Sequence, residues 1–238
     1  MLSIIKKEIN SFFASLIAYL VIGIFLLLNG LSLFIFNDDF NILNAGFADV
    51  NAFFYLSPWV FLFLIPAITM KSFADEYNAG TIELLKTKPI THWQIVLGKF
   101  WASLLLVAIA IVPTLVYVFT VYQLGNPVGN IDFGSTIGSY IGLVFLATTY
   151  TAVGLFTSTL SKNQIVAFIG SVFIIFILYY GFDALAALMN GSITLQKLGI
   201  NEHFKSISRG VIDTRDIIYF ISVTFFFLFI TKARLAHE

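Results

Sequence analysis

The 238-residue chain contains no cysteine, five prolines and three histidines, and only 11% of it is Asp, Glu, Lys or Arg, with 13 basic residues against 13 acidic ones. Each shortage excludes something. Without cysteine there is no disulfide frame, no thiolate metal site, no cysteine nucleophile, and no sign of redox compartment. Zero net charge leaves no electrostatic case for a nucleic-acid partner. A soluble domain uses about 25% charged residues to cover its core. A chain with less than half of that, and 59% apolar residues, needs another cover, and lipid supplies it. What is abundant agrees, since 17% of the residues are aromatic and 27 are Phe.

A hydrocarbon core of roughly 30 Å takes about 20 helical residues to cross. Five charge-free stretches fit, at about 11–36, 51–70, 100–122, 136–161 and 163–182. A sixth, at about 214–234, has an uncharged centre of 15 residues, 217–231, which is only about 22 Å of helix. It spans if its ends help, with Tyr219 anchored at an interface and Lys232 and Arg234 snorkelling outward. The expected fold is therefore all-α: one polytopic membrane domain over 1–238, with six transmembrane helices, no internal repeat and no attached soluble domain.

Six spans put both chain ends on one side. That side holds Lys6, Lys7, Lys71, Lys86, Lys88, Lys99, Lys162, Lys232 and Arg234, nine of the thirteen basic residues. The opposite loops, 37–50 and 123–135, carry Asp38, Asp39, Asp49 and Asp132 and no Lys or Arg. The positive-inside rule places both termini in the cytoplasm. Lys6 and Lys7 before an apolar run resemble a signal peptide, but the run is about twice the length of a signal h-region. Gly46-Phe47-Ala48 also lies too far beyond it for cleavage, so the segment is read as retained. Leu2, Ile5, Ile9, Phe12 and Phe13 recur at helical spacing around Lys6, Lys7 and Asn10, the pattern of an amphipathic helix in the inner interface. The competing reading is an extended first span with basic flanks.

The informative stretch is the loop 71–99, the longest on the basic side, with a second helical loop expected at 190–216. Gly80 breaks the chain, Thr81 can cap, and a short helix follows from Ile82 to Lys86. Pro89 disfavours helix at Lys88 and closes it. Thr91 with Gln94 fits a capping box, and Ile90 with Ile95 a hydrophobic staple, so a second helix runs through Trp93 and Gly98 into span three. Such a compact element, continuous with a spanning helix, can transmit a push; its bland alternative is a solvated joining loop.

These residues resemble the signature of the ABC-2 type permease family, the membrane subunits of ABC exporters of the type V kind. There an acidic residue precedes Gly-Thr, an apolar-acidic-Leu-Leu run, a Pro and an apolar-Leu-Gly-Lys start to the third span. The matches are Glu76, Gly80-Thr81-Ile82-Glu83-Leu84-Leu85, Pro89 and Val96-Leu97-Gly98-Lys99. The resemblance implies that this segment is a coupling helix docking into a separate, dimeric ATPase. Thr81, Glu83, Leu84 and Leu85 would meet the motor, Pro89 would set the turn, and Gly98-Lys99 would open the third span. It further implies a second permease copy or a related permease as partner, an accessory protein of the envelope, surrounding lipid, and a place in the bacterial inner membrane. A narrower likeness runs through His203-Phe204, Arg209-Gly210-Val211-Ile212-Asp213 and Arg215-Asp216, which are similar to the permease subunit associated with bacterial gliding motility.

The rest of the chain offers no chemistry of its own. Gly98-Lys99 lacks the Gly five residues earlier that a Walker A loop needs, so no nucleotide site or other cofactor is expected. His92, His203 and His237 are scattered and form no metal-ligand spacing. No Gly-x-Ser-x-Gly occurs. Asp183 is the one acid near a span interior and is placed at an interface, about 20 residues after Asn163. The scarcity of charge at depth disfavours an ion-coupled carrier. A polytopic membrane enzyme or assembly factor without transport activity remains the alternative function, and would need a polar cluster near an interface. Gly134, Gly138 and Gly142 form a small-residue ridge suited to close helix packing, within the bundle or at a dimer seam. Pro66 and Pro113 are expected to kink spans two and three.

Overall fold

The structure, a computed structural model, describes residues 1–83, 89–189 and 191–237, and every regular element among them is helical. Helix α1 (Leu2–Ala14) stops at Ser15, whose backbone is extended (φ −103°, ψ 159°) and whose hydroxyl donates to the Phe12 carbonyl. Helix α2 (Leu16–Phe34) starts at the next residue. The first span thus begins at Leu16 rather than 11, and α1 is a helix in its own right. It has distinct sides. Ile4, Glu8 and Phe12, four residues apart, are buried where α1 packs on the third span and α2. Leu2 is exposed, and Ile5, Ile9 and Phe13 are half-buried on the adjoining apolar flank.

Helix α3 (Asn51–Thr69) runs through Met70 into α4 (Lys71–Asn78), so the second spanning helix extends over 28 residues, Asn51–Asn78. Pro66 leaves α3 unbroken. Pro113 does not leave its span unbroken: α5 (His92–Ile111) and α6 (Leu115–Leu124) meet at a 3-10 turn, Val112–Thr114. Proline has no N–H for the helix ladder and its ring crowds the preceding turn. Helix α7 (Phe133–Ser158) is capped by Asp132, whose carboxylate accepts from the Ser135 N–H at 3.1 Å. Span five is α8 (Gln164–Phe176), a π turn (Ile177–Gly181) and α9 (Phe182–Leu188). The segment before span six folds as α10 (Ile193–Gln196) and α11 (Ile200–Ser208), and α12 (Thr214–His237) closes the chain.

Among the described residues six helices are long and apolar enough to cross a membrane. The second and fourth are central, 67% and 72% buried, against 22–33% for the others. The fourth, α7, touches α3, α5, α8, α11 and α12. It is free of charged residues, so nothing in it resists an apolar environment. The other spans turn Leu27, Val116, Ile169 and Ile221 outward, as a lipid-facing surface requires. Asn29 is fully buried in α2. Its amide donates to the Phe25 carbonyl at 2.8 Å, and its carbonyl accepts from Ser57 of α3 at 3.5 Å, which satisfies a polar group that would be costly in hydrocarbon.

Span six is longer than its uncharged centre promised. The spanning helix runs over 23 residues, Thr214–Ala236, close to the expected 214–234, about 34 Å at the α-helical rise. Its charged head does not end it, because Asp216 is buried against His203 while Arg215 points to the exterior. Span five also overruns its expected end at 182. Asp183 follows in the first turn of α9, and its carboxylate accepts from the Asn201 amide at 2.5 Å.

Candidate functional site

The segment between spans two and three is built from two capped ends. At the first, α4 ends in a Schellman turn. Gly80 takes the left-handed conformation (φ +67°), its N–H reaches the Tyr77 carbonyl at 3.4 Å, and the Thr81 N–H reaches the Glu76 carbonyl at 2.9 Å. Ile82 and Glu83 are helical; Ile82 is buried in the core, whereas Thr81 and Glu83 on either side of it are exposed. Leu84 and Leu85 lie outside the described residues. Pro89 is exposed. At the second end, Thr91 Oγ1 accepts from the Gln94 N–H at 3.3 Å and Gln94 Oε1 accepts from the Thr91 N–H at 3.1 Å. This reciprocal capping box starts α5, with Ile95 fully buried and Ile90 packed on the core beneath it.

Glu76 does not lie on the exposed side with Thr81 and Glu83. It is buried, and its carboxylate belongs to a charged knot that holds α1, α4 and α5 together. Lys99 is the centre of the knot, only 2% exposed. Its ammonium has three N–H bonds and three oxygen neighbours: Glu8 Oε1 at 3.0 Å, Glu76 Oε1 at 3.0 Å and the Ser72 carbonyl at 2.6 Å. The Phe73 ring lies 5.0 Å below it. Lys7, at the rim, reaches Glu76 Oε1 at 3.1 Å and Glu8 Oε1 at 3.7 Å. Two ammonium groups thus balance two carboxylates. Burial alone would lower the Lys7 pKa, but Glu76, with a smaller part from Glu8, outweighs it and raises the value above the ordinary 10.5. This contribution is complete below 10.5 and fades only as pH climbs through the raised value.

The glycine before Lys99 matters as much. A Cβ on Gly98 would stand 2.8 Å from Ile4 Cγ2, so the absent side chain is what lets α1 lie against α5 at the level where Glu8 meets Lys99. Helix α4 is tied to span five too, through a hydrogen bond from Gln164 Nε2 at the start of that span to Asp75 Oδ1, next to Glu76. Next to the exposed Thr81–Glu83 corner opens a cleft of ≈ 450 Å³, lined by Gly80, Glu83, Leu160, Ser161, Lys162 and Arg234. Sequence reasoning missed Glu8 altogether. Its signal was position: it falls midway between Ile4 and Phe12 on the buried stripe of α1, where an acid needs a buried partner.

The glycine ridge faces the chain's own α11. A Cβ on Gly138 would fall 2.5 Å from the Ile207 carbonyl oxygen, and one on Gly142 3.2 Å from the Phe204 ring. Gly134 is exposed at the end of this row, against the turn at Gly210. Among the described residues no group of His, Asp and Glu is arranged to hold a metal ion.

A search of curated proteins finds no match to this chain. A comparison with protein families matches residues 2–209 to the family described as ABC-2 family transporter protein. The match takes in α1, the capped segment, the charged knot and five of the six apolar helices, and on that extent the chain belongs to the ABC-2 family of transporter proteins.

Proposed function

We propose that this chain is the permease subunit of an ABC transporter complex, driven by a separate dimeric ATPase that docks on the corner from Thr81 to Pro89. A second copy, or a related permease, completes the translocation path. Both termini and the docking corner face the cytoplasm of a bacterial cell, with the chain in the inner membrane. Thr81 and Glu83 meet the motor with Leu84 and Leu85, while Glu76 works from inside.

The observation that carries this reading is the Lys99 knot. A docking corner is useful only if force applied to it moves the spans. Here the corner follows directly on span two, which is held to span three and to α1 by a four-charge cluster centred on the buried Lys99. A slack loop would deform instead. The basic side of the topology, with Lys162 and Arg234 in the adjoining cleft, supports the cytoplasmic placement. The likeness around His203–Asp216 supports membership of the gliding-motility branch, in which the complex powers or supplies a surface machine together with an accessory protein of the envelope.

Because the chain has no cysteine, single thiols test the docking corner cleanly. With cysteine introduced at Thr81→Cys or Glu83→Cys, a short bifunctional reagent is expected to join the permease to the ATPase in membranes. Val128→Cys, exposed between spans three and four at the opposite end, is expected to give no adduct. Adducts from position 128 and none from 81 or 83 would overturn the proposed docking.

A further inference from the structure

At the end of the bundle away from the docking corner, one short helix ties three spans together. Helix α11 buries Ile200, Phe204 and Ile207. It meets span four at the glycine ridge, where Ser135 and Ser139 also donate to the Ser208 carbonyl at 2.8 and 3.3 Å. It meets span five through Asn201 and Asp183. It meets span six through His203, whose Nδ1 lies 2.6 Å from Asp216 Oδ1. The other ring nitrogen, Nε2, lies 2.9 Å from the Lys197 carbonyl oxygen. The ring stacks on Tyr219 with centroids 3.9 Å apart, and the Tyr219 hydroxyl donates to the Leu198 carbonyl at 2.6 Å.

Both imidazole nitrogens therefore face oxygen acceptors. A neutral imidazole has one N–H and one lone pair, so next to an ionised Asp216 it satisfies only one of the two contacts. The geometry closes when the His203–Asp216 pair holds one more proton. The imidazolium then donates to both oxygens, or the carboxylic acid donates to Nδ1 while Nε2–H donates to the carbonyl; the proton belongs to the pair. Loss of that proton sets lone pair against lone pair at one contact. It also leaves Asp216 as a buried carboxylate without a counter-charge, with Oδ2 already unpartnered among the described residues.

We propose that His203 and Asp216 form a proton-dependent latch holding the ends of spans four, five and six together, closed in the protonated pair and released when its proton is lost. The groups around it are few. From α12 come Asp216 and Tyr219, with Arg215 exposed. Lys197 offers its backbone carbonyl. Span five brings Asp183, bonded to Asn201, and Tyr179 in the π turn that touches α11. Helix α7 brings no charged residue; its Tyr140 packs on Phe54 and its Tyr150 against Tyr179. On α11 itself Glu202 is half-buried and Lys205 exposed. Among the described residues the charged group paired with the His203 ring is thus Asp216. Under the permease reading the latch lies on the outer face and senses the medium outside. The latch itself does not depend on a motor, so it is tested on the purified chain alone.

Spin labels at Lys205→Cys and Arg215→Cys, both exposed, report the α11–α12 distance by pulsed EPR in lipid nanodiscs. Between about pH 5 and about pH 9, which bracket an ordinary imidazole, a single short distance is expected to give way to a longer population that grows several-fold. In His203→Gln, and separately in Asp216→Asn, that pH dependence is expected to vanish. A wild-type distance that ignores pH overturns the latch, and so does a pH response that persists in either variant. Neither result bears on ATPase docking.

Discussion

Lys99→Met is expected to destabilise the protein by about 3–5 kcal/mol, because it strips the central cation from two buried carboxylates. Methionine fills nearly the volume of the lysine stem, so packing survives while the charge balance does not. Glu8 loses a partner at 3.0 Å, Glu76 another at 3.0 Å, and the Ser72 carbonyl its donor at 2.6 Å. Lys7 remains, but its side chain is 60% exposed and cannot neutralise both acids. Thermal unfolding in nanodiscs measures the cost as a midpoint lowered on the order of 10 °C. The triple variant Lys99→Met with Glu8→Gln and Glu76→Gln is expected to recover most of that loss, since a neutral set no longer buries unpaired charge. An unchanged midpoint in the single variant would mean that the knot is not buried as described.

The second large effect belongs to Gly210→Ala. Gly210 sits at φ +84°, and a Cβ there would stand 2.8 Å from the Gly134 carbonyl carbon and 2.9 Å from the Ser135 nitrogen. Both neighbours are backbone, so no rotamer change relieves the clash. The left-handed conformation costs about 1–2 kcal/mol and the overpacking about 1–3 more. Gly191→Ala is the matched control, with a similar φ of +76° and nothing within 4 Å of its Cβ. It is expected to lose only the conformational part, about 1–2 kcal/mol. Equal losses in the two variants would show that the turn at 210 does not press on span four.

Much of this architecture was legible in the sequence because it rests on local chemistry. Charge-free runs marked the six spans, Gly80 and the Thr91–Gln94 pair marked the ends of the segment between spans two and three, and Pro113 marked the 3-10 turn in span three. What escaped was non-local. Glu8 stands in a Lys-Lys-Glu run that reads as a solvated end, and its partner Lys99 lies 91 positions away. Arg215 and Asp216 stood as charges inside the expected span at 214–234, and only the fold shows that a histidine 13 positions earlier receives Asp216 as the helix carries it inward. The glycine ridge announced a close approach but not what would approach, and the neighbour proved to be α11. The resemblance placed Glu76 in one signature with the residues expected to meet the motor. Its burial separates the residues that face out, Thr81 and Glu83, from the one that holds them in place.

Under the proposed function, a separate ATPase acts on this chain through the corner at Thr81–Pro89. The most direct test is to isolate the tagged permease from membranes with the candidate ATPase and to quantify the ATPase recovered. Wild type is expected to retain it. Glu83→Arg and Leu84→Asp are expected to lose it by roughly tenfold or more, a weakening of about 1.4 kcal/mol, while remaining folded and in the membrane. Equal recovery with all three chains would contradict the account.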